Sequence, residues 1–247
     1  MIPYYEDDLA KIYKGRYEDV CKNIEEKVDL VLTDPPYGMT DCDWDIHIDL
    51  KEMWDILKSV SHKETVYIFT AAQPFTSKLV MSNLKDFKCE WIWDKYIPRG
   101  FQTARYKPMN RHESVLVFCE KAAKYYPQMV KRDKPVSGKN YSKKVGSHSM
   151  IKGEHPRKIY EYKNPDTIIQ GFWEANHNKI HPNQKPVGLG KYLIKTYTNE
   201  GETVLDFTMG SCSTGIACLR TNRKFIGIEL DENYFNIAKE RITNEPV

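Results

Sequence analysis

The stretch Leu32-Thr33-Asp34-Pro35-Pro36-Tyr37-Gly38 (LTDPPYG) decides how the chain is organised. It follows a short apolar run, Val28 to Leu32, which predicts a buried strand. Neither proline can donate a hydrogen bond to a neighbouring strand, and each restricts the residue before it. The strand therefore ends here, leaving the Asp34 carboxylate and the Tyr37 ring at the sheet edge where ligands bind in open α/β folds. Alone, the heptapeptide also fits an ordinary exit from a strand into a loop.

Composition limits the class of protein. A chain of 247 residues forms one large domain, or one domain with an inserted lobe. The hydrophobic fraction of 40% and the charged fraction of 29% are typical of soluble globular proteins, and no apolar run is long enough to span a membrane. The acidic, aromatic amino terminus does not resemble a signal peptide. The six cysteines are scattered without a C-x-x-C pair, which indicates a reduced, cytoplasmic protein without disulfides or a metal site.

Charge is distributed unevenly along the chain. Residues 121–163 contain twelve Lys or Arg and three acids, a net charge of +9, whereas the whole chain carries only +3. The remainder is therefore acidic. A basic lobe on a mildly acidic body is an electrostatic footprint for a polyanion.

Hydrophobic periodicity predicts strands that alternate with helices, which is typical of α/β proteins. In residues 121–178 the periodicity fails, which predicts an irregular segment. The first predicted strand, 9–13, is expected at an edge of the sheet. The other predicted strands are 28–32, 65–70, 91–96, 114–119, 203–207 and 224–229. The predicted helices are 18–26, 50–60, 73–86, 188–198, 214–221 and 231–243, with Asp49 and Asp231 as N-caps.

Two polar segments are candidates for functional loops. Residues 97–112 interleave basic groups with aromatic rings, which suits phosphates and stacked bases. A solvated hairpin fits this pattern equally well. Residues 39–49 (MTDCDWDIHID) are interpreted as a loop over the site, with a packed surface loop as the alternative.

A second motif, DFTMGSCSTG at 206–215, has the layout of a nucleotide-binding turn between a strand and a helix. The next strand ends in Glu229, 23 residues after Asp206, where an acid can hold ribose hydroxyls. The turn lacks the G-x-G-x-x-G pattern of a pyrophosphate site, and Asp206 at its mouth would repel phosphates. A ligand that carries an ammonium or a sulfonium fits better, which favours S-adenosylmethionine over a dinucleotide.

Taken in order, LTDPPYG, FTAAQPF, HPNQKP and DFTMGSCSTG…FIGIEL resemble the β-class amino-methyltransferases of DNA. The resemblance covers nearly the whole chain except residues 121–178. It implies a circularly permuted, Rossmann-like class I methyltransferase sheet with an inserted, largely irregular, basic target-recognition region. The catalytic domain would comprise residues 1–120 and 179–247, and the inserted region residues 121–178.

The resemblance implies that Asp34, Pro35, Pro36 and Tyr37 form the catalytic motif. Its aspartate version resembles adenine-N6 enzymes, whereas serine is more usual in cytosine-N4 enzymes. The lone pair of an exocyclic amine is delocalised into the base, so the amine is a poor nucleophile. The Asp34 carboxylate and the Pro35 carbonyl could accept its two hydrogens and favour a tetrahedral nitrogen, while Tyr37 could stack on the flipped base.

Further site residues follow from the same resemblance, and no metal is expected. S-adenosylmethionine is the implied cofactor. The residues expected around its methionine part are Asp206, Thr208, Gly210 and Ser211, with Glu229 at the ribose and Asn183 and Lys185 at the methionine carboxylate. The residues expected to bind DNA are Arg99, Arg105, Lys107, Arg111, Lys131, Arg132, Lys143 and Lys144.

Two positions depart from the family pattern. Cys212 stands where a second glycine is usual, and a side chain there costs about 1–2 kcal/mol if the backbone is left-handed. Arg16 stands where an acid is usual. A catalytically silent, DNA-binding subunit is therefore an alternative to an active enzyme, and cytosine-N4 methylation is the alternative within enzymes.

The expected partner is double-stranded DNA, in the cytoplasm of a bacterial or phage-infected cell and not at a membrane. The sequence leaves open a homodimer and a restriction endonuclease partner.

Overall fold

The computed structural model describes residues 2–38, 48–138, 159–172 and 184–246. It comprises two compact units, one of Met1–Tyr126 with Thr167–Val247 and one of Pro127–Asp166. The strands are β1 Tyr5–Glu6, β2 Ala10–Lys14, β3 Val28–Thr33, β4 Ser61–Ala71, β5 Phe87–Arg99, β6 Asn110–Phe118, β7 Val130–Ser137, β8 Ile159–Lys163, β9 Ile168–Ile169, β10 Thr203–Asp206 and β11 Lys224–Glu229. The helices are α1 Tyr17–Val20, α2 Leu50–Ser59, α3 Phe75–Ser82, α4 Val187–Tyr197, α5 Ser213–Leu219 and α6 Glu232–Asn244.

Among the described residues, nine strands form one sheet in the order β1-β2-β11-β10-β3-β4-β6-β5-β9. The strands from β2 to β4 are parallel, and β6 runs antiparallel to β4 and β5. From β10 the chain crosses to β11 on one side, and from β3 it crosses to β4 on the other. The boundary between β10 and β3 is therefore the topological switch point, where α/β sheets bind ligands.

The order of these strands along the chain confirms the predicted permutation. The strand that carries the cofactor motif, β10, lies in the middle of the sheet although it is next to last in the sequence. The strand of the proline motif, β3, pairs with it in parallel through Leu30 and Val31. The two motifs, more than 170 residues apart, consequently end at the same edge.

Helices cover both faces of the sheet because its central strands are apolar on both sides. Leu30 and Leu32 of β3 belong to one buried cluster, with residues of α4, α5 and α6. Val31 points to the opposite face and belongs to a second cluster, with residues of α2 and α3. Asp49 caps α2 and Asp231 caps α6, each by accepting two backbone N–H bonds as predicted.

Four predictions about elements need correction. Strand β2 is not at the edge, because β1 pairs with its outer side through Tyr5 and Ile12. Helix α1 ends at Val20 and is followed by a single 3₁₀ turn, and α3 ends at Ser82, so both helices are shorter than predicted. The segment 121–178 is not irregular throughout, because β7 pairs with β8 and β9 joins the large sheet beside β5. The sequence of β7 and β8 shows no sustained alternation between apolar and polar residues, because both strands are almost wholly exposed.

Within the part of the chain that the structure describes, no helix is both long and apolar enough to cross a membrane. The same residues include no cluster of His, Cys, Asp or Glu that could hold a metal ion.

Candidate active site

A cavity of about 1260 Å³ opens at the switch point between β3 and β10. The proline motif forms one part of its wall, and the turn after β10 forms another. Glu229 at the end of β11 and Lys185 before α4 also line it. The cavity exceeds the usual size of a site for one small ligand, about 300–1,000 Å³, so it has room for a cofactor and a base together.

Asp34 is held by donors on both carboxylate oxygens. Its Oδ1 accepts hydrogen bonds from the Tyr37 hydroxyl, at 2.8 Å, and from the Thr70 hydroxyl. Its Oδ2 lies 2.5 Å from the Lys185 ammonium. Thr70 stands near the end of β4, so three separate segments fix the orientation of one carboxylate.

Lys185 is shared between two acids. Its ammonium forms ion pairs with the Asp34 carboxylate and with Glu113 Oε2, the latter at 3.4 Å. Glu113 Oε1 accepts a 2.7 Å hydrogen bond from Lys95. Burial would lower the pKa of Lys185, but the two carboxylates raise it above its ordinary value. Burial would raise the pKa of Glu113, but the two ammonium groups hold it below its ordinary value. Asp34, Lys185, Glu113 and Lys95 therefore form a row in which acidic and basic side chains alternate, and these neighbours favour the charged forms of Lys185 and Glu113.

The proline motif and the cofactor turn are joined by direct hydrogen bonds. The Thr33 hydroxyl donates to Asp206 Oδ1 at 2.8 Å and lies 2.6 Å from the Thr208 hydroxyl. The Thr208 hydroxyl in turn donates to the backbone carbonyl of Asp34 at 3.2 Å. These bonds fix the spacing between the two halves of the site.

Asp206 is a buried acid that titrates near neutral pH. Burial raises its pKa to about 7, although hydrogen bonds from the Thr214 and Thr33 hydroxyls and the Thr208 N–H oppose the shift. A buried carboxylate of this kind is stabilised by any cation placed beside it. The turn therefore suits a ligand with a positive charge, as the sequence predicts.

Glu229 offers acceptors at the far end of the same turn. Its Oε2 accepts the Gly210 N–H and its Oε1 accepts the Asp231 N–H, each at 2.8 Å. The Leu230 N–H is a further donor to this carboxylate. A carboxylate can accept about four hydrogen bonds, so the described contacts leave about one position for a hydroxyl. Burial raises the pKa of Glu229 above its ordinary value.

Cys212 adopts the left-handed conformation that the sequence raised as a concern. Its φ is 65° and its ψ is 36°, and its side chain is fully buried. The turn keeps its hydrogen bonds, since Cys212 N–H donates to the Met209 carbonyl at 2.8 Å. Gly210, the other left-handed residue of the turn, has φ 49°. The cysteine therefore strains the turn without preventing it from forming.

Tyr37 is stacked as well as hydrogen-bonded. Its ring packs on Phe75 with centroids 5.0 Å apart and planes 23° apart. Phe75 begins α3, directly after the FTAAQP segment. One face of the tyrosine ring is thus supported from the protein side.

Most of the basic residues of 97–112 lie at the exposed tip of the β5–β6 hairpin. Arg99, Arg105 and Lys107 are exposed there, and two rings, Phe101 and Tyr106, are 78% and 86% exposed. Arg111 differs, because it forms a bidentate ion pair with Asp94 at 2.7 and 2.8 Å. Hydrogen bonds from Arg111 hold the pKa of Asp94 down at about 2.

The remaining predicted residues lie elsewhere. Lys131 is exposed on β7, and Arg132 beside it donates to the Tyr162 carbonyl at 3.3 Å. Asn183, Lys143, Lys144 and the loop 39–47 lie outside the described residues. Ser211 is buried and its hydroxyl lies 3.5 Å from Gln184 Oε1. The contact predicted between Lys185 and the methionine carboxylate stays a prediction, since the Lys185 ammonium binds the Asp34 carboxylate in this structure.

The sequence did not identify Thr33, Thr70, Lys95 or Glu113 as site residues. Glu113 carried a signal, because a lone acid directly before the apolar run SVLVFC is unusual at the start of a buried strand. Thr33 and Thr70 also stand at the ends of predicted strands. Lys95 gave no such signal.

Comparison with known proteins identifies the family. A model of the DNA methylase family matches residues 28–240, which is most of the chain. The chain belongs to the DNA methylase family. The match begins at β3 and ends in α6, so it includes both motifs that line the cavity of this DNA methylase.

Relatives of this DNA methylase cover most of its length. It is 28% identical over 237 residues to the type II methyltransferase M.HpaI of Haemophilus parainfluenzae, covering 91% of this chain and 71% of the relative. It is 28% identical over 241 residues to the DNA adenine methyltransferase YhdJ of Escherichia coli (strain K12), covering 88% and 76%. Its fold is similar to that of M1.HpyAVI in complex with SAM, with a TM-score of 0.65 at 24% identity, covering 95% and 99% of the two chains.

Proposed function

We propose that this DNA methylase transfers a methyl group from S-adenosylmethionine to the exocyclic N6 amine of an adenine flipped out of duplex DNA. The observation that carries the proposal is the fixed Asp34 carboxylate, joined through Thr33 and Thr208 to a turn that favours a cationic ligand. The relative YhdJ, a DNA adenine methyltransferase, supports the choice of base.

The residues of the cavity fit the cofactor. Asp206 would face the positively charged methionine part, and Glu229 would accept a hydrogen bond from a ribose hydroxyl beside its backbone donors. Thr208, Gly210 and Ser211 line the cavity between them. S-adenosylmethionine bound there supplies an electrophilic methyl group. The related fold of M1.HpyAVI was solved as a SAM complex.

The chain's own residues would prepare the amine. Hydrogen bonds from the amine to the Asp34 carboxylate and the Pro35 carbonyl draw its lone pair out of conjugation with the base. Tyr37, supported by Phe75, would offer a flat surface for the flipped ring. The nitrogen that gains a methyl group must lose one proton, and Asp34 would be the carboxylate hydrogen-bonded to it. Positioning and fixed charge would supply much of the rate.

The interface with DNA would include the hairpin tip at 97–112, with Arg99, Arg105 and Lys107 near phosphates. Arg111 would act there indirectly, by fixing Asp94 at the base of the hairpin. We propose that residues 121–178, with Lys131, Arg132, Lys143 and Lys144, serve target recognition. A cytoplasmic location is a proposal for the whole protein, and the bacterial relatives support it. A homodimer is a further proposal, and no restriction endonuclease partner is assigned.

The test is transfer of a labelled methyl group from S-adenosylmethionine to unmethylated duplex DNA. We expect wild-type protein to label DNA and Asp34→Ala to lose nearly all of that label. A suitable control is Asp55→Ala, which removes a carboxylate from the exposed side of α2. No transfer by the wild type would support the silent-subunit alternative, and equal transfer by Asp34→Ala would remove Asp34 from the mechanism.

A further inference from the structure

The described contacts of Asp34 leave room for a substrate on one of its two oxygens. Oδ1 already accepts from the Tyr37 and Thr70 hydroxyls, which use both of its lone pairs. Among the described residues, Oδ2 accepts only from Lys185, which leaves one of its lone pairs. A hydrogen from the target amine would therefore be accepted by Oδ2. The position of the Lys185 ammonium decides in which direction that lone pair points.

Lys185 does not hold this position through Asp34 alone. Its ammonium is largely buried, and a buried ammonium needs charged partners because it has lost its water. Glu113 is the second partner, at 3.4 Å. Glu113 comes from β6, far in sequence from both Asp34 and Lys185, and it lines the same cavity.

Glu113 is itself anchored from behind. Lys95, on the neighbouring strand β5, donates to Glu113 Oε1 at 2.7 Å. The other oxygen, Oε2, is buried and has no hydrogen-bond partner among the described residues. Its contact with the Lys185 ammonium, at 3.4 Å, is an ion pair. One oxygen is thus used for the anchor and the other faces Lys185.

From this geometry we propose that Glu113 is a positioning residue for methyl transfer, which rests on the proposed function. Held by Lys95, it fixes the Lys185 ammonium between two carboxylates, so that Asp34 Oδ2 keeps one lone pair directed at the target amine. It also shares the positive charge of Lys185, which would otherwise be neutralised by Asp34 alone. Glu113 touches neither the base nor the cofactor in this role.

Glu113→Gln is the direct test, because it keeps the shape of the side chain and removes its charge. Without that charge, two ammonium groups face each other across an amide. We expect kcat for methyl transfer to fall about 100-fold, the effect of a misplacement of about 1 Å in an active site. KM for duplex DNA should hardly change, since DNA affinity comes mainly from phosphate contacts.

Glu113→Asp separates a charge role from a packing role. Aspartate keeps the charge but leaves a gap, whereas glutamine fills the space without the charge. The proposal requires Glu113→Asp to have the higher kcat of the two, and a packing role requires the reverse order. Lys95→Met should also lower kcat, but by less than Glu113→Gln does. Glu90→Gln, an exposed acid on the same hairpin, is the matched control and should keep wild-type kcat.

Crystal structures of wild type and Glu113→Gln provide the second readout, which does not depend on activity. The proposal expects the Lys185 ammonium to move from its place beside Asp34 in the variant. An unmoved Lys185, or a Glu113→Gln kcat equal to wild type, overturns it. The two levels of failure are distinct, because an inactive wild type contradicts the proposed function whereas an active wild type with an equally active Glu113→Gln contradicts only this inference.

Discussion

Asp206 links the cofactor site to pH. Its pKa of about 7 means that the carboxylate is partly protonated at neutral pH, and a bound cation would favour its ionised form. We therefore expect affinity for S-adenosylmethionine to rise about ten-fold between about pH 6 and pH 8, as Asp206 ionises. Calorimetric titration of wild type and Asp206→Asn measures this. The cofactor's own amine titrates equally with both proteins, so only the difference between them counts, and identical pH dependence would contradict the assignment.

Asp206 also affects the free energy of unfolding, and this contribution falls as pH rises, whereas the affinity for the cofactor increases. Native Asp206 binds its proton more tightly than the unfolded chain does, because its pKa is raised from 3.8. Its contribution to the free energy of unfolding is therefore largest at low pH and falls as pH rises from about 4 to about 7. Urea unfolding should show Asp206→Asn gaining stability relative to wild type over that range.

Cys212 provides a prediction about strain. Its left-handed backbone favours glycine over alanine by about 1 kcal/mol, while its buried side chain favours any residue that fills the space. Cys212→Ala loses packing and keeps the strain, so it should destabilise the protein more than Cys212→Gly does. Cys218, buried within α5, is the matched control, because there glycine should be worse than alanine by about 1 kcal/mol. If chemical unfolding showed the alanine variant to be more stable than the glycine variant at both positions, the turn would be unstrained.

At the scale of elements, one end of the hairpin of β5 and β6 packs in the core and the other end is exposed. Arg105→Ala combined with Lys107→Ala removes two charges from the tip. If both contact phosphates, the slope of log affinity for duplex DNA against log salt concentration should fall by about 1.8. Lys85→Ala with Lys88→Ala removes two exposed charges near the opposite end of β5 and should leave the slope unchanged. Equal slopes for both pairs would remove the tip from the interface.

Elements with apolar alternation were predictable, and those without it were not. Strands β3, β10 and β11 are buried on both faces, so their composition alone revealed them. Strands β7 and β8 pair with each other while their side chains stay exposed, so the hydrophobic pattern contained no trace of them. The lengths of β5 and β6 were underestimated for the same reason, because their outer halves lie beyond the core.

At the scale of the whole molecule, the resemblance carried by the order of motifs implied the permuted sheet, with Asp34 in the catalytic motif and Asp206 in the cofactor turn. Motifs at strand ends could be placed together because parallel strands end at one edge. The row of Asp34, Lys185, Glu113 and Lys95 could not, since it depends on how an antiparallel hairpin and the loop before α4 approach that edge. Long-range contacts between charged side chains leave no periodic signal in a sequence.

The identity of the methylated base tests the central claim most directly. Duplex DNA without prior methylation would be incubated with wild-type protein and S-adenosylmethionine, digested to nucleosides and analysed by mass spectrometry. The account predicts N6-methyladenine, and none of it from Asp34→Ala tested in parallel. N4-methylcytosine as the product would contradict the assignment of the base, and the absence of any methylated nucleoside would contradict the assignment of an active enzyme.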